Sequence, residues 1–283
     1  MTKFERPLIM GVLNTTPDSF SDGGKFTQLE AALDHAKLLV MAGAQIIDVG
    51  GESTRPGAAR VSLDEEQSRT IPVIQAVRTY LSAEGRSDVS ISIDTMNAHT
   101  AKLAVEAGAS IVNDVSGGLA DDAMLETVAA TDAKYVIGHW RGFSNEMDTL
   151  NSYQDIANEV AEELGRRVAA AEAAGIPKAR LVIDPGLGFA KDMKQNWKLV
   201  ARLDALEKLD LPILVGASRK RFIASAIEPE EPTRADNDRR DLATAVLTAL
   251  LLQRKLWGVR VHNVLATADA IAIVQALRDG ENS

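Results

Sequence analysis

The chain has 283 residues, 46% hydrophobic and 25% charged, the balance of a water-soluble globular protein and the length of one α/β barrel. A formal net charge of −9 argues against a nucleic-acid partner, and the absence of cysteine excludes disulfides and thiolate metal sites. No apolar run reaches the roughly 18 residues a membrane helix needs, and the charged Met1–Pro7 start is too short for a signal peptide, so a cytoplasmic protein is expected. The first strand is Pro7–Leu13, ending at Asn14. A long polar loop, Thr15–Gly24, follows. Thr27-Gln-Leu-Glu30 matches a capping box, and the helix it opens stops at Gly43. Gln45–Val49 is the second strand, leading into the polar loop Gly50–Gly57. Ser62-Leu-Asp-Glu65 opens a helix running to about Leu81.

Val89–Ile93 is the third strand, ending at Asp94, with Asn97 as cap for Ala98–Ala107. Ser110–Val112 is the fourth, followed by Asn113–Gly118 and a helix over roughly Asp122–Ala130. Lys134–Ile137 is the fifth, ending at Gly138-His139, and a helix covers about Tyr153–Ala174. Leu181-Val-Ile-Asp184 is the sixth, running into Pro-Gly-Leu-Gly. Gln195–Leu209 reads as helix and Leu211–Val215 as the seventh strand. Ile227–Arg240 reads as a surface loop, Leu242–Gln253 as helix, Gly258–Val261 as the eighth strand and Thr267–Leu277 as the last helix. Short apolar runs without alternation suit strands buried on both faces of a parallel sheet. Eight strands alternating with helices predict a single (β/α)₈ TIM barrel over 1–283. A doubly wound open sheet is the runner-up, without the Gly-x-Gly-x-x-Gly turn that fold would carry first.

In such a barrel the strand C-termini gather on one face, where active sites lie. Asn14, Asp48, Asp94, Asn113, His139, Asp184, Lys220, Arg260 and His262 would converge there. Asp94, Asn113 and Asp184 suit a planar ligand with an amidine-like edge, because a carboxylate can accept two parallel N–H bonds. Arg55, Ser218, Arg219, Lys220, Arg260 and His262 put positive charge where this fold holds phosphate. Plainer roles compete: Asp22, Asp64 and Asp122 as helix caps, Asp48 as a brace, His35 and His99 as helix surface or packing, and His139 as a core histidine. Only one residue of Arg219-Lys220-Arg221 is expected to point inward. Without His-x-His or His-Glu-x-x-His a zinc hydrolase is disfavoured. Oxygen ligands and phosphate would suit Mg²⁺.

Met10–Gly24, Asp48–Gly57, Ser92–Thr95, Asn113–Gly118, Asp184–Phe189, Ser218–Lys220 and Arg260–His262 together resemble the dihydropteroate synthase family, in the family's order and over nearly the whole chain. The resemblance implies a folate-pathway transferase. It would join 6-hydroxymethyl-7,8-dihydropterin diphosphate and p-aminobenzoate into dihydropteroate and pyrophosphate. It implies pterin contacts at Asp94, Asn113, Asp184 and Lys220, and diphosphate contacts at Asn14 (through Mg²⁺), Arg260 and His262. Thr54, Arg55, Pro56, Phe189, Ser218 and the Lys220 stem would border p-aminobenzoate. Diphosphate would leave early, giving a cation favoured by ionised Asp94; Arg260 and His262 would stabilise the departing charge. A homodimer and sulfonamide inhibition are further implications. Two positions depart from the family: Gly138 stands where Met is frequent, implying a looser wall or one filled from elsewhere. Asn263 stands where Asp is common, implying weaker support of His262. A non-catalytic pterin-binding paralogue and a pterin-dependent methyltransferase barrel are the alternatives.

Overall fold

The computed structural model describes residues 6–15, 25–52, 60–143 and 149–281, with backbone alone at 25–27. Strands and helices alternate as β1 (Leu8–Asn14), α1 (Lys25–Met41), β2 (Ile46–Gly50), α2 (Leu63–Ala83), β3 (Ser90–Asp94), α3 (Ala98–Glu106), β4 (Ile111–Asp114), α4 (Met124–Ala129) and β5 (Lys134–Gly138). They continue as α5 (Ile156–Ala173), β6 (Leu181–Asp184), α6 (Met193–Ala201), α7 (Asp204–Glu207), β7 (Leu214–Val215), α8 (Arg221–Ile227), α9 (Asn237–Leu251), β8 (Gly258–Val261) and α10 (Val264–Glu281). The strands pair in parallel in the order β6-β5-β4-β3-β2-β1-β8-β7. A bridge from Ile183 on β6 to Ile213, just ahead of β7, joins the two ends into a ring. This is the (β/α)₈ barrel expected, and closing the ring leaves few ladder groups unpaired.

Met10, Ile46, Ile111, Val136, Val182 and Leu214 form a buried cluster of their own, the apolar floor inside the ring. Side chains alternate faces along a strand, so the next inward position lies two residues on. Those positions are Val12, Asp48, Asn113, Gly138, Asp184 and Gly216. Ser92, opposite Asp48, and Arg260, opposite Met10, add further polar positions to the interior. Asp48, Asn113 and Asp184 thus stand one inward position above the apolar floor. The intervening residues, such as Ile9, Ile47, Ile91, Tyr135 and Ile183, join the main core between strands and helices.

Several boundaries differ from the sequence reading. α1 starts at Lys25, so Thr27 lies inside the helix instead of capping it. Ser62 does cap α2, accepting from Glu65 N at 3.3 Å, and Asp64 sits exposed in the first turn behind it. Asn97 occupies the N-cap position of α3 without capping, because its amide donates to Glu66 Oε2 at 2.7 Å. Asp121, not Asp122, binds backbone: it accepts from Ala98 N at 2.8 Å and Ala123 N at 3.0 Å. The helix expected over Gln195–Leu209 is two, α6 and α7, and β7 spans only two residues. The 227–240 stretch is less open than a loop: α9 already begins at Asn237, capped by Asp236. Asp22 lies outside the described residues.

Candidate active site

Arg260 is the centre of the polar layer. Its Nε donates to Asp48 Oδ2 and its Nη2 to Asp94 Oδ2, each at 2.6 Å. Asp48 is fully buried, and its Oδ2 also accepts from Asn113 Nδ2 at 3.3 Å. One carboxylate thus ties β2 to β4 and β8. The bracing role weighed for Asp48 is what the geometry displays. Burial pushes the Asp94 carboxyl up to about 7 even against the pull of Arg260, with Asp48 adding like charge. The two acids hold the Arg260 guanidinium charged.

Asp94 and Asn14 meet over Gly50. A Cβ on Gly50 would lie 3.6 Å from Asp94 Oδ2 and 3.9 Å from Asn14 Oδ1, so the bare glycine keeps this mouth open. Gly216 does the same on the other side, with Asp184 Oδ2 at 3.5 Å and Arg260 Cβ at 3.8 Å from its missing Cβ. Asp184 Oδ1 accepts from Gly186 N at 2.7 Å, while Oδ2 faces Gly216. Burial raises the Asp184 pKa, opposed by the Lys220 charge.

Lys220 lies along this wall. Its stem covers Gly188, where a Cβ would come within 2.8 Å of Cδ. Its Nζ donates to the Leu187 carbonyl and sits 4.4 Å from the Phe189 ring centroid. Burial lowers the ammonium pKa to about 8, with Asp184 pulling the other way. Arg219 turns outward to a bidentate pair with Asp241 at 2.8 and 2.7 Å. Lys220 alone of that pair faces the cleft.

Ser218 Oγ accepts from His262 N at 3.2 Å and lies 2.9 Å from His262 Nδ1. The hydroxyl has one hydrogen and a second lone pair, so it can serve Nδ1 in either tautomer and fixes the orientation of the ring. Asn263 is engaged at a helix start. Its Oδ1 accepts from Ala266 N at 3.0 Å and caps α10. Ser218 supplies side-chain support for His262.

The β4–α4 turn is held by Asp114. It accepts from Ser116 N and Oγ, Gly118 N and Tyr135 Oη at 2.6–2.8 Å. This places the Val115 backbone against Gly138, where a Cβ would lie 2.5 Å from Val115 O. The wall at Gly138 is thus filled from elsewhere, by backbone. His139 does not join the cleft: it is buried, with Nε2 2.9 Å from Glu163 Oε2 and Nδ1 2.9 Å from Lys191 Nζ. The core role weighed for it holds, with side chains as partners. His99 is exposed and His35 half-buried within helices. Thr54, Arg55 and Pro56 lie outside the described residues.

Sequence reasoning passed over Lys191 and Glu66. Glu66 is buried and accepts from Thr95 Oγ1, Thr100 Oγ1 and Asn97 Nδ2 at 2.6–2.7 Å, pinning the turn after Asp94. Its place directly after Asp64-Glu65 at the acidic start of a helix reads as solvated charge. Only its lack of exposure reveals the role.

A family model described as pterin binding enzyme matches residues 10–262. A dihydropteroate synthase of Mycobacterium leprae is 45% identical over 269 residues, covering 95% of this chain and 92% of that one. A structure of Xanthomonas albilineans dihydropteroate synthase with 4-aminobenzoic acid superposes with a TM-score of 0.86 at 39% identity, covering 97% and 94%. The same enzyme in complex with 7,8-dihydropteroate gives 0.83 at 36% identity, covering 98% and 95%.

Proposed function

We infer the chemistry of this cleft from a premise the family match carries: the chain belongs to the pterin-binding enzymes and, among them, to the dihydropteroate synthases. It is a transferase that condenses 6-hydroxymethyl-7,8-dihydropterin diphosphate with p-aminobenzoate, giving 7,8-dihydropteroate and pyrophosphate. The observation that carries the assignment of residues is the polar layer itself. Acidic acceptors Asp94 and Asp184 and the cations Arg260 and Lys220 share one cleft above an apolar floor.

In this reading Asp184 accepts from the amidine-like edge of the pterin, with Asn113 and Lys220 on the ring's other polar atoms. Arg260 and His262 receive the diphosphate. The C–O bond to diphosphate breaks, and the pterin keeps a delocalised cation that ionised Asp94 favours. The aryl amine then forms the new C–N bond and releases one N–H proton to solvent or the departing pyrophosphate, flanked by Phe189, Ser218, the Lys220 stem and the Thr54–Pro56 loop. A methyltransferase barrel has no use for this array of cations facing a leaving group.

Mg²⁺ belongs to the same proposal. Among the described residues no three carboxylates or histidines stand close enough to cage a metal. The donor set fits Mg²⁺ held by one protein oxygen, Asn14 Oδ1, with phosphate oxygens supplying the rest. When bound there, Mg²⁺ would neutralise the diphosphate charge.

Association as a homodimer is supported by one face. Leu242, Val246 and Leu250 recur every fourth residue along α9 and are 54–66% exposed, beside Ile273 and Leu277 on α10. No described helix is long and apolar enough to cross a membrane; a cytoplasmic location completes the reading.

The test is condensation of the two substrates with and without Mg²⁺, followed by pyrophosphate release. Turnover that needs Mg²⁺ is expected, with inhibition by sulfonamides, which share the aryl amine. Pterin binding without turnover would point to the non-catalytic paralogue. Asp184→Asn is expected to weaken pterin diphosphate binding by roughly 1.5–3 kcal/mol, the worth of a charged hydrogen bond. Unchanged affinity would remove Asp184 from the pocket.

A further inference from the structure

Behind the cleft lies a second lysine, and it grips the loop on which Lys220 rests. Lys191 Nζ is buried, 3.0 Å from the Gly186 carbonyl, 3.0 Å from the Phe189 carbonyl and 2.9 Å from His139 Nδ1. His139 Nε2 lies 2.9 Å from Glu163 Oε2, and the same carboxylate takes Arg141 Nε at 3.1 Å. A carboxylate can only accept, so Nε2 carries the ring hydrogen and Nδ1 is an acceptor. Burial, then the Lys191 charge, lower the His139 pKa to about 4 and keep the ring neutral. Against burial, bonds from His139 and Arg141 hold the Glu163 carboxyl down to about 2. Three acceptors therefore converge on Nζ, as many as an ammonium has hydrogens. Burial pushes the Lys191 pKa well down, yet a neutral amine would leave one acceptor unmatched.

The gripped loop needs holding. Gly186, Gly188 and Ala190 adopt φ of +63°, +79° and +47°, three left-handed residues in five. Such a run persists only where its surroundings over-determine it. A Cβ on Gly186 would overlap the His139 carbonyl oxygen. The Gly186 and Phe189 carbonyls go to Lys191, while the Leu187 carbonyl between them goes to Lys220. The Phe189 ring meets Lys220 on the cleft side.

We propose that Lys191, locked by His139 and Glu163, is a positioning residue that sets the Leu187 oxygen and the Phe189 ring against which Lys220 is seated. It touches no substrate. It acts through the wall that borders p-aminobenzoate, so the proposal rests on the reading of Phe189 and Lys220 given above. The contacts themselves do not.

Lys191→Met keeps the length and removes the three donors. It is expected to raise KM for p-aminobenzoate about tenfold, the scale of one lost charge-assisted contact, with kcat within about threefold. A merely structural lysine would lower the melting temperature and leave KM alone. Should Lys191→Met not fold, His139→Leu carries the test, since it removes one acceptor and frees Nζ to move. A threefold or greater rise in the same KM is expected. Unchanged KM in the folded variant overturns the proposal. Failure of the wild-type chain to condense the substrates would instead overturn the functional reading beneath it.

Discussion

Asp48 and Arg260, from strands on either side of β1, meet at 2.6 Å with Asp48 wholly buried. The pair fixes the Arg260 guanidinium, the cation proposed to face the leaving group, and the same oxygen steadies Asn113 at 3.3 Å. Asp48→Asn keeps the shape and removes one of the two carboxylates bonded to Arg260. We expect kcat/KM to fall by roughly 1.5–3 kcal/mol, or about ten- to a hundredfold, because a charged hydrogen bond at a buried site is lost. Because Asp48 also raises Asp94, the acid limb of the pH profile should shift to lower pH in the variant. An unchanged kcat/KM and an unchanged limb would reduce Asp48 to packing.

Activity should trace a narrow bell. Ionised Asp94 is the form that favours a cation, and its carboxyl titrates at about 7, so kcat/KM should rise tenfold per pH unit below that value. The proposed role of Lys220 needs its charge, and its ammonium titrates at about 8, so the rate should fall above it. Lys220→Arg should abolish the alkaline limb, since guanidinium does not titrate there. Stability carries the opposite sign at the acid end. The native Asp94 keeps a proton that the unfolded chain loses near 3.8, so its contribution to stability declines as pH rises from about 4 to 7. Urea midpoints across that window, compared with Asp94→Asn, measure it. An alkaline limb that survives in Lys220→Arg would sink the assignment.

The barrel was legible because its strands are apolar runs ending in chemistry-bearing residues, and because turns at Gly43, Gly108 and Gly175 adopt φ of +101°, +114° and +98° that glycine tolerates best. The convergence of Asp94, Asn113, Asp184, Lys220 and Arg260 follows from that topology alone. What stayed hidden is pairing. Nothing in Ser218-Arg219-Lys220 says that Arg219 will spend its charge on Asp241, twenty-two residues on. Lys191 sits in Ala-Lys-Asp, a composition that reads as surface, and only the left-handed turn ahead of it drives the side chain inward. Local pattern also overran at Gln195–Leu209, where α6 stops at Ala201 before α7 starts at Asp204.

Gly138 gives a prediction that depends on backbone. A Cβ there would lie 2.5 Å from Val115 O and 2.6 Å from Val115 Cα, and neither can rotate away. Gly138→Ala should therefore cost about 1–3 kcal/mol of stability, as overpacking does. It should also weaken pterin binding, since Asn113 lies on the strand that ends at this turn. Gly138→Met should be worse than Ala, although relatives with Met at this position are expected to carry it with the turn moved. Thermal unfolding and pterin titration read both effects. A fully stable Gly138→Met variant would mean that the Val115 turn yields freely.

The apolar stripe on α9 sets the last expectation. Leu242, Val246 and Leu250 are 66%, 54% and 62% exposed, and covering what remains open would contribute about 1–2 kcal/mol each. In a two-fold dimer a residue near the axis meets its own copy, so one substitution acts twice. Val246→Glu would place two carboxylates in an apolar seam, where an unpaired charge is costly to bury. Sedimentation at micromolar protein should report a dimer for the wild-type chain and a monomer for the variant, with helical content unchanged. Met41 on α1, 73% exposed and outside this stripe, supplies the control: Met41→Glu should leave the mass of the dimer as it is. A wild-type monomer, or a Val246→Glu dimer as tight as the parent, would move the interface off this face.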